Sequence, residues 1–147
     1  MADYVYNRKI HFDYEILDTY EAGIELLGTE VKSVRGGQVL LDGAFVIIRG
    51  NEAFLINANI PAYQPKNAPK DFDPLRNRKI LLTKKEIMEL QKKGKNKSIT
   101  IVPISLYNKN RKIKIKIAEV KGKKKHDKRE TIKKRETDRE IRREMKN

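Results

Sequence analysis

The chain has 147 residues and a formal net charge of +14, from 34 Lys and Arg against 20 Asp and Glu. Cysteine is absent, which excludes disulfides, thiolate metal sites and a cysteine nucleophile. No apolar run approaches the roughly 20 residues of a membrane-spanning helix, and the charge points to an anionic partner, with nucleic acid ahead of a membrane surface.

The opening segment to about Phe12 is short and polar, and it lacks the apolar core of an export signal. Cytoplasm is therefore the expected location. Asp13 to Leu27 is long enough for two strands, with Tyr14, Ile16, Ile24 and Leu26 at period two and Glu21-Ala22-Gly23 as the turn or bend between them. Thr29 to Arg35 reads as a short helix capped by Thr29, with Glu30 in its first turn and Gly36-Gly37 ending it. Val39 to Leu41 reads as a brief strand. Ala44–Arg49 and Ala53–Asn57 form a hairpin across Gly50-Asn51. Residues 58–78 hold Pro61, Pro65, Pro69 and Pro74 and read as an irregular surface loop.

Thr83 to Lys93 is predicted as a helix. Thr83 with Glu86 three residues on makes a capping box, and Ile87 and Leu90 supply the apolar face. Ser98–Tyr107 and Arg111–Val120 are the strongest hairpin, with Asn108 to Asn110 as its turn. In the second arm isoleucines 113, 115 and 117 take one face and lysines 112, 114 and 116 the other. That lysine stripe fits a nucleic-acid surface and fits a solvated sheet face equally well. Pro103 implies an edge or a bulge. About six mostly antiparallel strands with short connections are best served by a closed barrel, which leaves few edges exposed. The expected class is therefore mainly β: a small antiparallel OB-like barrel with two or three flanking helices, over residues 1–120.

Residues 121–147 form a second region. Thirteen of these 27 residues are Lys or Arg and six are Asp or Glu, a net +7, and only Ile132, Ile141 and Met145 are bulky and apolar. Such a segment cannot bury enough apolar surface to offset the entropy of ordering, so it is expected to be disordered when free. Glu130 with Lys134 and Asp138 with Arg142 are acid-before-base pairs at i, i+4. Each supports a helix by only about 0.2 to 0.5 kcal/mol, so a helix here needs a bound surface.

Catalytic signatures do not emerge. The two histidines, His11 and His126, have no partner at metal-ligand spacing. Gly23 and Gly28 are spaced as in a phosphate loop, but Thr29-Glu30 follow where Lys and Ser or Thr are needed. Asp71 and Asp73 sit beside Pro74 and read as turn residues. Neither an enzyme nor a cofactor is expected.

Several blocks, in collinear order, carry a resemblance. They are Asn7-Arg8-Lys9, Glu21-Ala22-Gly23-Ile24, Gly28-Thr29-Glu30-Val31-Lys32-Ser33, Glu52-Ala53-Phe54-Leu55, residues 78–82, Ser105-Leu106-Tyr107 and residues 122–129. Together they resemble the SsrA-binding protein (SmpB) family over nearly the whole chain. The resemblance implies an OB-like barrel that holds the elbow of the tRNA-like domain of transfer-messenger RNA (tmRNA). It implies delivery of that RNA to ribosomes stalled on messages without a stop codon, the process of trans-translation. The implied partners are this RNA, the small-subunit rRNA at the decoding centre and mRNA channel, and elongation factor Tu in the delivery complex, with the protein a monomer and no membrane involved.

Carried over by position, the RNA-binding residues are Asn7, Arg8, Lys9, Tyr14, Glu21, Lys32, Ser33, Leu81 and Thr83. The tail residues meeting the decoding centre are Gly122, Lys123, Lys124, Lys125, His126, Asp127, Lys128 and Arg129. Thr83 stands where the family often has Asn. Phe12 stands where it often has His before the acidic-Tyr pair, His11 lying one position earlier. The rival reading is a generic OB-fold RNA-binding or ribosome-associated protein with a non-specific basic tail.

Overall fold

A computed structural model describes residues 3–64, 71–95 and 98–122. The expected tail from Lys123 onward lies outside the described residues. The strands are β1 (Asp3–Tyr6), β2 (Tyr14–Ile24), β3 (Phe45–Arg49), β4 (Glu52–Ile56), β5 (Arg78–Leu81), β6 (Ile99–Lys109) and β7 (Lys112–Gly122). The helices are α1 (Ile10–Asp13), α2 (Gly28–Arg35) and α3 (Lys84–Gly94). The sheet order is β1-β6-β3-β4-β5-β2-β7, and β7 pairs back with β6. Six antiparallel strands thus close a ring, as the pattern predicts, and β1 lies outside it on β6.

The β6–β7 hairpin forms the wall of this ring. Ile115 and Ile117 are buried while Lys112 and Lys116 are exposed, so the alternation of the sequence is the alternation of the sheet. The turn is Asn110-Arg111, with φ of 51° and 64°, later than the expected 108–110. Two left-handed residues in succession match the twist of paired strands. A register shift between Pro103 and Ser105 confirms the bulge. It lets Ile104 join an outer apolar cluster while its neighbour Ser105 lies opposite Lys116. That cluster comprises Ile10, Val102, Ile104, Ala118 and Val120, with Tyr14 and Ile16 packed against it. The main core lies inside the ring, around Leu55, Ile80, Leu106, Ile115 and Ile117. Each such side chain contributes about 1.5 to 3 kcal/mol when fully buried.

Four expectations need correction. Asp13 to Leu27 is not two strands: β2 runs unbroken, with an irregularity between Ile16 and Asp18. Gly23 is no turn residue but a strand residue opposite Leu81, where an added Cβ would sit 3.3 Å from the Leu81 side chain. Thr29 does not cap α2. Leu27 is the N-cap, and its N–H donates to Glu30 Oε1 at 2.7 Å. The Thr29 hydroxyl oxygen instead accepts from the Tyr63 N–H at 2.8 Å. Residues 39–41 make only the single bridge Leu40–Asn59. The 58–78 segment, in its described parts, is stitched inward: Ala58 and Ile60 are fully buried, and Arg78 opens β5.

Helix α3 keeps its capping box, with the Glu86 N–H donating to Thr83 Oγ1 at 3.2 Å and the Thr83 N–H to Glu86 Oε1 at 3.0 Å. It is tied to the barrel by Lys93 Nζ, 3.2 Å from Glu119 Oε2, while the Tyr20 hydroxyl donates to Glu119 Oε1 at 2.9 Å. Burial and the Glu119 carboxylate push the Tyr20 phenol up to about 12. Its ordinary value is 10.0, so above pH 10 the unfolded chain loses this proton first and the folded state is disfavoured until the folded value is passed. Lys93, raised by its bond to Glu119, acts in the same direction. Urea unfolding at pH 9 to 12 is expected to show falling stability, with a shallower fall in Tyr20→Phe. Parallel curves for the two proteins would remove Tyr20 from the linkage.

Candidate nucleic-acid interface

Strand register assembles the site. On the outer face Tyr6 lies opposite Ser105, Ser105 opposite Lys116, and Lys116 opposite Glu21. One row nearer the hairpin turn, Asp3, Tyr107, Lys114, Gly23 and Leu81 follow one another across β1, β6, β7, β2 and β5. Glu21 ends the first row and reaches toward the second as an acceptor. It takes the Tyr107 hydroxyl at Oε2 (2.5 Å) and Lys109 Nζ at Oε1 (2.9 Å). The Tyr107 bond first, then the Lys109 bond, hold the Glu21 carboxyl below its usual range, against a smaller opposing effect of desolvation. Burial and the neighbouring Glu21 push the Tyr107 phenol well up. Glu21 is therefore an exposed, oriented carboxylate, and each of its oxygens has a further lone pair to offer a ligand donor.

A groove of about 650 Å³ opens beside it, lined by Tyr6, His11, Thr19, Glu21 and Lys116 among others. Tyr6 and His11 stack at its end, with ring centroids 6.0 Å apart and planes at 21°, and the Tyr6 hydroxyl is 2.5 Å from His11 Nε2. The groove thus offers an aromatic wall, a cation and a carboxylate, the groups that meet stacked bases, phosphates and base or ribose donors. Leu81 is half exposed, beside Gly23 and within reach of the same face.

The other predicted residues scatter. Tyr14 opens β2 opposite Gly122 and packs on the outer cluster. The seven-residue span to Glu21 puts it about 23 Å away along the strand, where it borders a separate 260 Å³ pocket with Asn7, Lys9 and Asp42. Lys9 pairs with Asp42 at 3.4 Å, and Arg8 is exposed. Asn7 is buried; its N–H donates to Ile104 O and its amide to Leu41 O. Ser33 is fully buried and donates to Pro61 O at 2.6 Å. Both side chains work inside the fold, beneath the surface. Lys32 is exposed, its Nζ 5.6 Å from the centroid of the Tyr63 ring. Thr83 Oγ1 is engaged by the α3 cap. Gly122 ends β7, and Lys123 to Arg129 lie outside the described residues.

Tyr107, Lys109, Lys116 and Tyr6 shape the site and are absent from the residues carried over from the family, although Lys116 belongs to the lysine stripe that fits a nucleic-acid surface. The hairpin alternation gives a face for Tyr107 and Lys116 but not which strand lies opposite, and nothing in the sequence marks Tyr6 or the expected turn residue Lys109 as part of the site. Asp73 does initiate a turn, its Oδ1 accepting from the Leu75 N–H at 2.9 Å. Among the described residues no group of three or more His, Cys, Asp or Glu could hold a metal ion. No helix there is long and apolar enough to cross a membrane.

A closed antiparallel barrel whose outer face combines cations, aromatic rings and an oriented carboxylate defines the class of OB-like nucleic-acid-binding barrels. Within that class the comparisons are specific. The family model described as SmpB protein matches residues 4–147, and the chain belongs to that family. An SsrA-binding protein of Mesoplasma florum is 52% identical over 140 residues, spanning 95% of this chain and 94% of its own length. One from Mycoplasma mycoides is 49% identical over 143 residues, spanning 97% and 95%. A chain of the solved structure "tmRNA-SmpB: a journey to the center of the bacterial ribosome" aligns with TM-score 0.68 and 41% identity, over 86% of this chain and 92% of that one.

Proposed function

We propose that the barrel binds the tRNA-like domain of tmRNA and carries it to stalled ribosomes, where the C-terminal segment reads the empty decoding centre and mRNA channel. The observation that carries this reading is Glu21, held ionised and exposed among Tyr107, Lys109 and Lys116 in a member of the SmpB family. A folded RNA elbow is recognised by shape, by its backbone and by a few polar groups, and this face supplies partners for each. Asn7 and Ser33 serve by holding the frame, whereas Arg8, Lys9, Tyr14, Glu21, Lys32 and Leu81 offer surface. The activity is binding and delivery without catalysis or a cofactor, by a monomer in the cytoplasm, with elongation factor Tu in the delivery complex.

The test is a titration of the tRNA-like RNA and of an unrelated duplex of equal length, with the full chain and with residues 1–122, which keep β7 whole, across a salt series. The expected result is a preference for the tRNA-like RNA that survives truncation and weakens with salt as counterions are released. Equal affinity for both RNAs would favour the generic RNA-binding reading.

Glu21→Lys is expected to lose most of this preference although it adds positive charge. The substitution removes the acceptor shared by Tyr107, Lys109 and the ligand. Losing a hydrogen bond to a charged group costs about 1.5 to 3 kcal/mol, roughly ten- to a hundredfold in affinity. Glu21→Gln, which keeps an acceptor, should fall between. Unchanged or tighter binding by a folded Glu21→Lys would leave the face as a plain electrostatic surface.

A further inference from the structure

The lysine stripe of β7 does not behave as one feature. Lys116 faces Glu21 and its groove, but Lys112 and Lys114 turn to a second cleft of about 330 Å³. Arg35, the last residue of α2, and Arg111, in the hairpin turn, line the same cleft, over an apolar floor that includes Leu81 and Ile24. Four cations from three parts of the fold converge there, and the lining contains no carboxylate. Among the described residues none of the four makes an ion pair, whereas Lys9, Lys79, Lys93 and Lys109 each have an acidic partner. The Lys114 charge also acts on Glu21, but that carboxylate is already bonded to Tyr107 and Lys109, and like charges held together are unfavourable in the free protein, so the cleft suits an anion.

Arg111 adds a second observation. Its φ of 64° lies in the left-handed region, where a two-residue turn after Asn ordinarily takes Gly. An arginine there carries backbone strain that glycine would not, and it places a guanidinium, the group best matched to phosphate oxygens, at the rim of the cleft.

We propose that Arg35, Arg111, Lys112 and Lys114 form a phosphate-binding cleft for a stretch of RNA backbone, with the apolar floor meeting the sugar edges. The inference rests on the RNA-binding reading and deepens it. Lys114 lies opposite Gly23, two residues from Glu21, so one RNA strand reaches both. Glu21 reads a specific group, and the cleft holds the backbone in register without reading sequence.

The experiment uses the full chain and two paired substitutions of equal charge change. Arg111→Asn with Lys112→Gln alters the cleft, and asparagine tolerates the left-handed turn. Lys92→Gln with Lys95→Gln alters exposed residues at the end of α3, Lys95 bordering the start of β6 at Ile99, about 33 Å along β6 from the turn. Binding of the tRNA-like RNA and of the unrelated duplex is measured against salt. The cleft pair is expected to reduce the log–log salt slope by about 1.4 to 1.8, for two lost phosphate contacts at 0.7 to 0.9 each, and the control pair to leave it unchanged. Equal slopes for the two pairs, with wild type still preferring the tRNA-like RNA, overturn the cleft and leave the RNA reading standing. Loss of slope in the cleft pair alone, with wild type showing no preference, keeps the cleft and overturns the specific reading. No binding of either RNA overturns both.

Discussion

Replacing Asp127, Lys128 and Arg129 together with alanine is expected to leave binding of the tRNA-like RNA nearly unchanged and to abolish tagging on stalled ribosomes. The separation follows from where the tail leaves the fold. Strand β7 ends at Gly122, opposite Tyr14, so the chain departs from the end of the barrel about 23 Å along β2 from Glu21. The tail's +7 charge and acid-before-base pairs suit a helix formed against rRNA, and the pairs alone are too weak to sustain one in water. A segment that folded only in a vacant channel would compete with mRNA for the same space and so act as a sensor of occupancy. The measurements are RNA titration, a tagging assay on ribosomes stalled on truncated message, and backbone NMR of the free protein. Normal tagging by the triple variant would sink the sensor role. A tail helix already formed in the free protein would sink folding on binding.

What the sequence made legible here is what has a period or a cap. The Ile and Lys alternation of β7 and the Thr83 and Glu86 box of α3 rest on local chemistry and stand in the structure, and of the edge or bulge that Pro103 implies the structure has the bulge. Local chemistry does not fix partners across the ring. Strands β1 and β5 have four residues each, too few for a period to show, and β1 is held by its register on β6. Glu21-Ala22-Gly23 reads as a turn because glycine favours turns, yet Gly23 is there so that β5 can bring Leu81 close. Family resemblance assigns a site role to Glu21 but none to the two residues that orient it, Tyr107 (in a resembling block) and Lys109, which lie 86 and 88 positions away. Asn7 and Ser33 show the opposite limit. Polar residues in such blocks look like surface contacts, and only their burial shows that they brace the fold.

Glu30→Gln is expected to cost about 3 to 5 kcal/mol, the range for leaving a buried charge without its partner. That is a large share of the roughly 5 to 15 kcal/mol that holds a domain folded. Glu30 is fully buried and accepts from the Leu27 N–H, from both Nε and Nη2 of Arg76, and from Arg78 Nε at 2.8 Å. Burial alone would push its carboxyl up, but Arg76, the Leu27 N–H and Arg78 together outweigh it and hold the group below its usual value. Its contribution is therefore present above the ordinary carboxylate range and is lost as pH falls through the lowered folded value. Arg78 is equally buried and donates to the carbonyls of Ala58, Ile60, Pro74 and Arg76. The pair thus anchors α2 to the 58–78 segment, and with it the helix end that presents Arg35. Because those carbonyls depend on Arg78, Glu30→Met with Arg78→Met should not recover the stability of wild type, unlike an isolated buried pair replaced by apolar residues. Urea unfolding of the single and double variants at pH 7 and pH 4 decides it. Full recovery in the double variant would reduce the cluster to a simple ion pair, and an unchanged single variant would show that Glu30 anchors nothing.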